Sequence, residues 1–534
     1  LDFALKNEHR VPVPVASGYD LVGLYYPGSV PAGIMFLEGF GSDQTMLRPL
    51  MSEFADWGLH LFSFDFSGHG RSPGTIGFDN AASERLALEV LAAKNVFKSV
   101  SGLNDSQIIM IGHSMGARMG LWATVLDISP VAGLVLLGCQ VNLLVNTQAS
   151  FFTGVDDTRL AWIQALQWNT PATDIMLISG EWDDIITPSS ANALYQKLES
   201  ARPPATPQFS RELHILPRLV HNYEIYSPRV VNLIKPWVGD RLLTESPEIS
   251  PIPKMTLRIA LWIVGLTSIF CTLILLLGFR RLSEKAPDEA RVSLGIQITD
   301  IHRFLAIKAW LWLGCLPFFF FLTLIFLMIP LGQPVFNLVY VGFISSYGIL
   351  QFLLYRLGKM PGTAGRLPLR AKLFGSSSDA PRLERIEWLQ IGGFIGAILL
   401  ATFWYCRTGW WFMFPINDRL VWLFIYSGFS SLGFYIGVQE LGVIQKNVPH
   451  PSKYTIVAIF IGFVPFILAT ILFGALGSLS GMIGSLQGLV ILAFCYISGA
   501  VVQQLGQRPW LTALFQGVLL QLLVLPISAL FAFF

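Results

Sequence analysis

From about residue 256 onward the chain is a succession of apolar segments, and no soluble core can bury so many. Eight are read, at about 256–278, 307–329, 335–355, 388–406, 420–444, 455–476, 483–505 and 510–533. Each is near the 20 residues that an α-helix needs to cross ~30 Å of hydrocarbon. A lipid-exposed backbone must satisfy its own hydrogen bonds, which favours helices. Residues 256–534 are therefore expected to form an all-α polytopic transmembrane domain of about eight helices. With 53% hydrophobic and 13% charged residues over 534 positions, the chain as a whole is neither a purely soluble protein nor a disordered or collagen-like one.

Charge divides the chain at the same place. The first 255 residues hold 17 Lys and Arg against 25 Asp and Glu, and the remaining 279 hold 19 against 9, so the net charge of +2 sums −8 and +10. No basic cluster carries interleaved aromatics, and no nucleic-acid partner is expected. Of the loops between apolar segments, one alternate set carries sixteen Lys and Arg and the other only Arg407 and Arg419. The positive-inside rule then places the first set in the cytoplasm and the front domain outside, although Lys254 and Arg258 oppose this at the first segment. A front domain outside needs an export signal. No apolar signal core is read in the front half, and the start at Leu1 agrees with a targeting segment having been removed or left out. Cys139 is alone in the front half, so no disulfide can form within it, and no zinc-like Cys/His spacing is present.

Residues 1–243 read as one α/β domain. Short β-rich runs at 33–39, 60–66, 107–111, 133–139, 174–180 and 211–217 alternate with helical periodicity at 43–57, 82–100 and 115–126, the pattern of a mostly parallel sheet flanked by helices. Val11–Pro27, with its Ser17-Gly18 turn, reads as a leading hairpin. A linker at 244–255, carrying Pro247, Pro251 and Pro253, closes the domain.

The chemistry centres on Gly112-His113-Ser114-Met115-Gly116, which follows an apolar strand and opens a helix. Glycines two before and two after a serine permit the sharp strand-to-helix turn that exposes a nucleophilic Oγ. Such a serine needs a base and an orienting acid, in the chain order Ser, Asp/Glu, His. Glu181, Asp183 and Asp184 follow a strand, and His221 lies in a loop beyond the last one. The Phe40 amide, in Glu38-Gly39-Phe40-Gly41, and the Met115 amide are the candidate oxyanion donors.

These motifs resemble the α/β-hydrolases, in the branch of serine aminopeptidase-like and monoacylglycerol-lipase-like enzymes. The resemblance covers about residues 10–238. Asp65-Phe66-Ser67-Gly68-His69-Gly70-Arg71-Ser72 looks like that branch's D-x-x-G-H-G-x-S turn, and Gly112 to Gly116 its G-H-S-M-G elbow. It implies Asp183, rather than Asp184, as the triad acid. Two departures stand out: Glu38 replaces the usual His before the oxyanion loop, and the cap at about 140–173 is short and rich in aromatics, with Phe151, Phe152, Trp162 and Trp168.

The expected protein is a membrane-embedded serine hydrolase of esterase, lipase or thioesterase type with Ser114, His221 and Asp183 as its triad. Glu38, His113 and Asp184 are possible site-lining residues. The expected partners are an acyl ester or lipid-like substrate and the lipid bilayer, and ester chemistry calls for no metal or organic cofactor. An acyltransferase using the same triad, with a lipid or sugar acceptor, and a transporter or sensor with a non-catalytic front domain are the alternatives. In the membrane half, several glutamines are expected to bond between helices. Glu440 and the pair Asp418 and Arg419, at opposite segment ends, are expected to be solvated.

Overall fold

The structure, a computed structural model, describes residues 7–77, 79–127, 129, 131–144, 157–166, 173–200, 209–244, 247, 250–283, 296–366, 385–408, 418–506 and 508–531. Phe151, Phe152 and Trp168 of the expected cap lie outside them, as do the basic loop residues Lys285, Arg291, Arg370, Lys372 and Arg382.

The front domain is built on eight strands: β1 (His9–Pro14), β2 (Asp20–Tyr26), β3 (Gly33–Leu37), β4 (His60–Phe64), β5 (Ile108–His113), β6 (Gly133–Leu137), β7 (Asp174–Gly180) and β8 (Arg211–Leu216). They form one sheet in the order β1-β2-β4-β3-β5-β6-β7-β8. Pairing is antiparallel from β1 through β2 to β4 and parallel from there to β8. Strands covered on both faces need apolar side chains at every position. In β3, Met35 and Leu37 point into the core on one face, and Ile34 and Phe36 into the core on the other.

The flanking helices are α1 (Arg48–Met51), α2 (Asn80–Ser101), α3 (Met115–Leu126), α4 (Ala161–Ala165), α5 (Pro188–Ser200) and α6 (Pro228–Leu242). The expected helix over 43–57 is instead three short pieces, a 3-10 turn at Gln44–Leu47, α1, and a second 3-10 turn at Ala55–Trp57. Side chains compete there for the amides a helix would use: Asp43 accepts from Thr45 N, and Asp65 from Gln44 N. Buried Leu47, Pro49, Leu50, Met51 and Phe54 leave the segment no continuous polar face. Of the cap aromatics, Trp162 is described, and it stacks on Trp122 of α3 at 5.0 Å.

The second half contains α7 (Lys254–Ser283), α8 (Ile301–Gly314), α9 (Leu316–Leu327), α10 (Val335–Leu357), α11 (Arg385–Thr408), α12 (Asp418–Asn447), α13 (Pro451–Gly462), α14 (Val464–Ala475), α15 (Leu479–Gly506) and α16 (Pro509–Val524). Among the described residues four helical stretches are long and apolar enough to cross a membrane, Lys254–Leu276, Asn337–Leu357, Asp418–Gln445 and Leu479–Leu505. The number is six if the pairs α8 with α9 and α13 with α14, bent by 42° and 52°, each count as one span. Pro317 and Pro465, just after each break, account for the bends. The segments near 388–406 and 510–533 contain shorter apolar helices, Trp388–Thr402 and Pro509–Val524. Glutamines bond between helices: Asn337 donates to Gln521, and Gln521 to Ser430.

Two expectations of solvated charge, at Glu440 and Arg419, are corrected. Glu440 is buried on α12 in an ion pair with Lys308 of α8, and it accepts from Gln351 at 3.0 Å and Tyr355 at 2.6 Å. Arg419 is buried against the front domain, and its neighbour Asp418 accepts from the Gly332 amide at 3.0 Å. Lys254 and Arg258, which oppose the loop charge pattern, are also drawn to the front domain: Lys254 pairs with Asp56, and Arg258 reaches the Ser52 hydroxyl at 3.4 Å.

Removing one member of a buried pair strands the other. Glu440→Ala should cost about 3–5 kcal/mol, and the double change Lys308→Met with Glu440→Gln much less. Unfolding in detergent, followed for both variants, checks this; a double variant as unstable as the single one would contradict it.

Candidate active site

The parallel register sets the site. Leu37 of β3 is level with Gly112 of β5, and His113 of β5 with Leu137 of β6, so Glu38, Ser114 and Gly138 emerge together at one sheet edge. Ser114 occupies the turn from β5 into α3 with φ 53° and ψ −113°, a left-handed region that a non-glycine residue adopts only under constraint. The constraint is the close approach of α3 to β3. A Cβ on Gly116 would lie 2.4 Å from the carbonyl oxygens of Leu37 and Glu38.

The three expected catalytic side chains come together from three loops. The Ser114 hydroxyl donates to His221 Nε2 at 2.8 Å, and His221 Nδ1 donates to Asp183 Oδ2 at 2.7 Å. Asp183 is held by its other oxygen, which accepts from the amides of Ile185 and Ile186. At the start of α5 it is the Thr187 hydroxyl that accepts from Ser190 N. Phe40 follows β3 and Met115 opens α3, so both flank the serine, and the Phe40 ring lies edge-on to His69 at 6.1 Å.

The remaining expected residues surround this relay. His113 is buried behind it, and its Nε2 donates to the His221 carbonyl at 3.1 Å. Burial, with His221 beside it, pushes His113 down to about 3, so the ring is neutral and acts as a fixed donor. Glu38 is fully buried, and one oxygen accepts from Phe66 N at 3.0 Å. Burial, then Asp65 and Asp43, raise it well above the usual carboxylate range. Asp184 points away from the relay to the turn between α14 and α15, where it accepts from the Ser478 hydroxyl at 2.7 Å and from Ser480.

Sequence reasoning missed Glu224. It is buried, accepts from Gly180 N at 2.7 Å, and places its other oxygen 3.7 Å from His113 Nε2. Its spacing of three from His221 in a helical turn was the available signal. Burial, with Asp183, raises it well above the usual range. Ligating atoms of His113, His221 and Glu224 lie within 4.8 Å of one another. Both His221 nitrogens already face Ser114 and Asp183, so a metal held there would dismantle the relay.

Residues 28–163 match the family described as serine aminopeptidase, S33. The front domain has the α/β-hydrolase fold. An abhydrolase domain-containing protein of Schizosaccharomyces pombe is 29% identical over 162 residues, which are 27% of this chain and 42% of that one. Protein phosphatase methylesterase 1 of Candida albicans is 26% identical over 157 residues, 28% of this chain and 42% of that one. The chain thus spans about two fifths of the length of these curated relatives. An esterase of Pyrococcus furiosus is a similar solved structure, 16% identical, with 45% of this chain and 93% of that one covered and a TM-score of 0.37.

Glu224 makes a pH prediction. A carboxyl whose folded pKa is raised keeps its proton when the unfolded chain has lost it, so stability falls as pH rises from the unfolded value, ~4.3, toward the folded one. Glu224→Gln should lessen the fall in melting temperature between about pH 5 and about pH 8. Parallel declines in variant and wild type would show that Glu224 does not hold the proton.

Proposed function

We propose that this protein is a membrane-embedded serine hydrolase that cleaves acyl esters through an acyl-enzyme. The observation that carries this reading is the relay Ser114, His221, Asp183, at 2.8 and 2.7 Å, on a strained elbow. His221 Nε2 takes the Ser114 proton as Oγ attacks the acyl carbonyl, and Asp183 fixes the Nδ1–H tautomer and stabilises the imidazolium that forms. The amides of Phe40 and Met115 receive the developing oxyanion. His221 then returns the proton to the leaving oxygen, and water, activated by the same imidazole, releases the acid.

The surroundings favour a lipid-like ester of an apolar acyl chain. The edge of the sheet that bears Ser114 abuts the helical half: Asp184 contacts Ser478 and Ser480, and Tyr223 accepts from Gln487 of α15 at 3.1 Å. Trp182, half exposed beside Asp183, suits the boundary between water and lipid. The loop charges favour an extracytoplasmic catalytic domain, with the bilayer as the source of substrate.

Labelling by a fluorophosphonate should be strong in the wild type and absent in Ser114→Ala, and Ser114→Ala should lower kcat/KM for p-nitrophenyl butyrate by roughly 10⁴-fold or more, with Asp183→Asn losing about 10⁴-fold. Undiminished labelling of Ser114→Ala would remove the nucleophile assignment. Free acid as the product with no added acceptor separates hydrolysis from acyl transfer. Added protease should cleave the front domain in intact cells; protection there with cleavage after lysis would reverse the orientation.

A further inference from the structure

Arg419 is the first basic residue of α12, and it is only 1% exposed, buried where the helical half meets the hydrolase-fold domain. Its guanidinium donates to the carbonyl of Gly68 at 2.7 Å, of Gly70 at 3.1 Å, and of Ser528, beyond α16, at 2.8 Å. Gly68 and Gly70 belong to the turn after β4, where both have positive φ. A planar fork with several donors can serve carbonyls from two chain segments at once, which a single ammonium serves less well.

The chain's last described residues fill the same place. The Leu530 amide donates to Gly68 O, the Ile76 amide donates to Leu530 O, both at 2.8 Å, and Phe531 pairs in parallel with Ile76. A Cβ on Gly68 would lie 2.8 Å from Leu530 O, so the approach requires glycine. Phe531 is buried, with its ring 5.5 Å from that of Phe40.

The turn held in this way reaches the oxyanion loop by two routes. His69 Nε2 accepts from the Gly41 amide at 3.1 Å, and the Phe66 amide donates to Glu38. Gly41 and Glu38 bracket Phe40. Burial, with Arg419 nearby, pushes His69 down to about 3, which keeps Nε2 an acceptor. Arg419 also lies within electrostatic reach of Glu38, Asp43 and Asp65, three buried acids around the loop.

We propose that Arg419, with the C-terminal segment it clamps, is a positioning residue of the hydrolase site, so that the membrane-spanning half completes the oxyanion loop of the catalytic domain. The inference rests on the serine-hydrolase reading. Arg419 touches no reacting atom. It fixes the turn that fixes Gly41 and therefore the direction of the Phe40 amide.

The test uses the full-length protein in detergent with p-nitrophenyl butyrate and a fluorophosphonate. A misdirected oxyanion donor acts on the transition state, so Arg419→Met should lower kcat about 100-fold, with KM within about threefold and labelling slowed in parallel. Arg419→Lys, which keeps charge and some donors, should recover at least about tenfold of that loss. Phe531→Ala leaves Arg419 intact and loosens the packing on Phe40; it should lower kcat about tenfold at unchanged KM. A folded Arg419→Met with wild-type kcat and labelling overturns the proposal, as does a loss carried by KM alone or a lysine variant no better than methionine. If Arg419→Met fails to fold, Phe531→Ala decides, and an unchanged kcat there overturns it. A wild type that does not label removes the serine-hydrolase reading and this inference together, whereas a labelling wild type with indifferent variants removes the inference alone.

Discussion

The structure depends on one close approach, that of α3 to the carboxyl end of β3 at Gly116. Gly116 has no room for a side chain against Leu37 and Glu38, and this forces Ser114 into a positive φ at the top of the sheet. The turn cannot relax unless β5 and α3 separate, and both are packed in the domain core. A serine so held keeps its hydroxyl at the sheet edge without depending on flexible loops. The loops then need only bring one imidazole and one carboxylate to a point already defined. His113, a neutral donor to the His221 carbonyl, ties the His221 loop back to the same elbow.

The site concentrates buried acids where positive charge is scarce. Glu38, Asp43, Asp65, Asp183 and Glu224 are all buried near the sheet edge. Some are satisfied by backbone amides: Asp183 by Ile185 and Ile186, Asp65 by Gln44 and Arg71, and Glu224 by Gly180. An amide proton accepted by a buried carboxylate opposes the effect of burial. Burial, with the acids beside them, is the larger effect: it raises Asp65 to about 7 and Glu38 and Glu224 well above the usual carboxylate range. A protonated Glu224 adds no negative charge beside His113 and His221.

Much of this was legible in the sequence because it follows from local pattern. All six β-rich runs contain strands, α2 and α3 lie where periodicity placed them, and the leading hairpin pairs as β1 with β2. The elbow could be read because its glycines are adjacent in sequence to the serine they serve. What could not be read was set by partners far along the chain. Arg419 bonds to residues some 350 positions away, and nothing in its neighbourhood distinguishes it from a charge ending a helix in water. Glu440 failed in the same way: its partner Lys308 lies 132 positions earlier. The segment 43–57 had helical spacing, but Asp43 and Asp65 took its amides.

The same helix carries both of those misread charges, and their spacing bears on what the helical half does. Arg419 and Glu440 are 21 residues apart on α12, about 31 Å at 1.5 Å per residue, close to the thickness of a bilayer's hydrocarbon. One end of α12 is fixed by carbonyls of the hydrolase-fold domain, and the other by a buried ion pair with α8 and hydrogen bonds from Gln351 and Tyr355 of α10. A helix that served only as an anchor would need neither, since apolar side chains alone keep a segment in lipid. Polar groups buried at both ends are costly unless their partners are in register, and so they oppose sliding of α12 along its axis. The hydrolase-fold domain, clamped at Gly68 and Gly70 to one end of that helix, is thereby held at a set distance from the far side of the bundle.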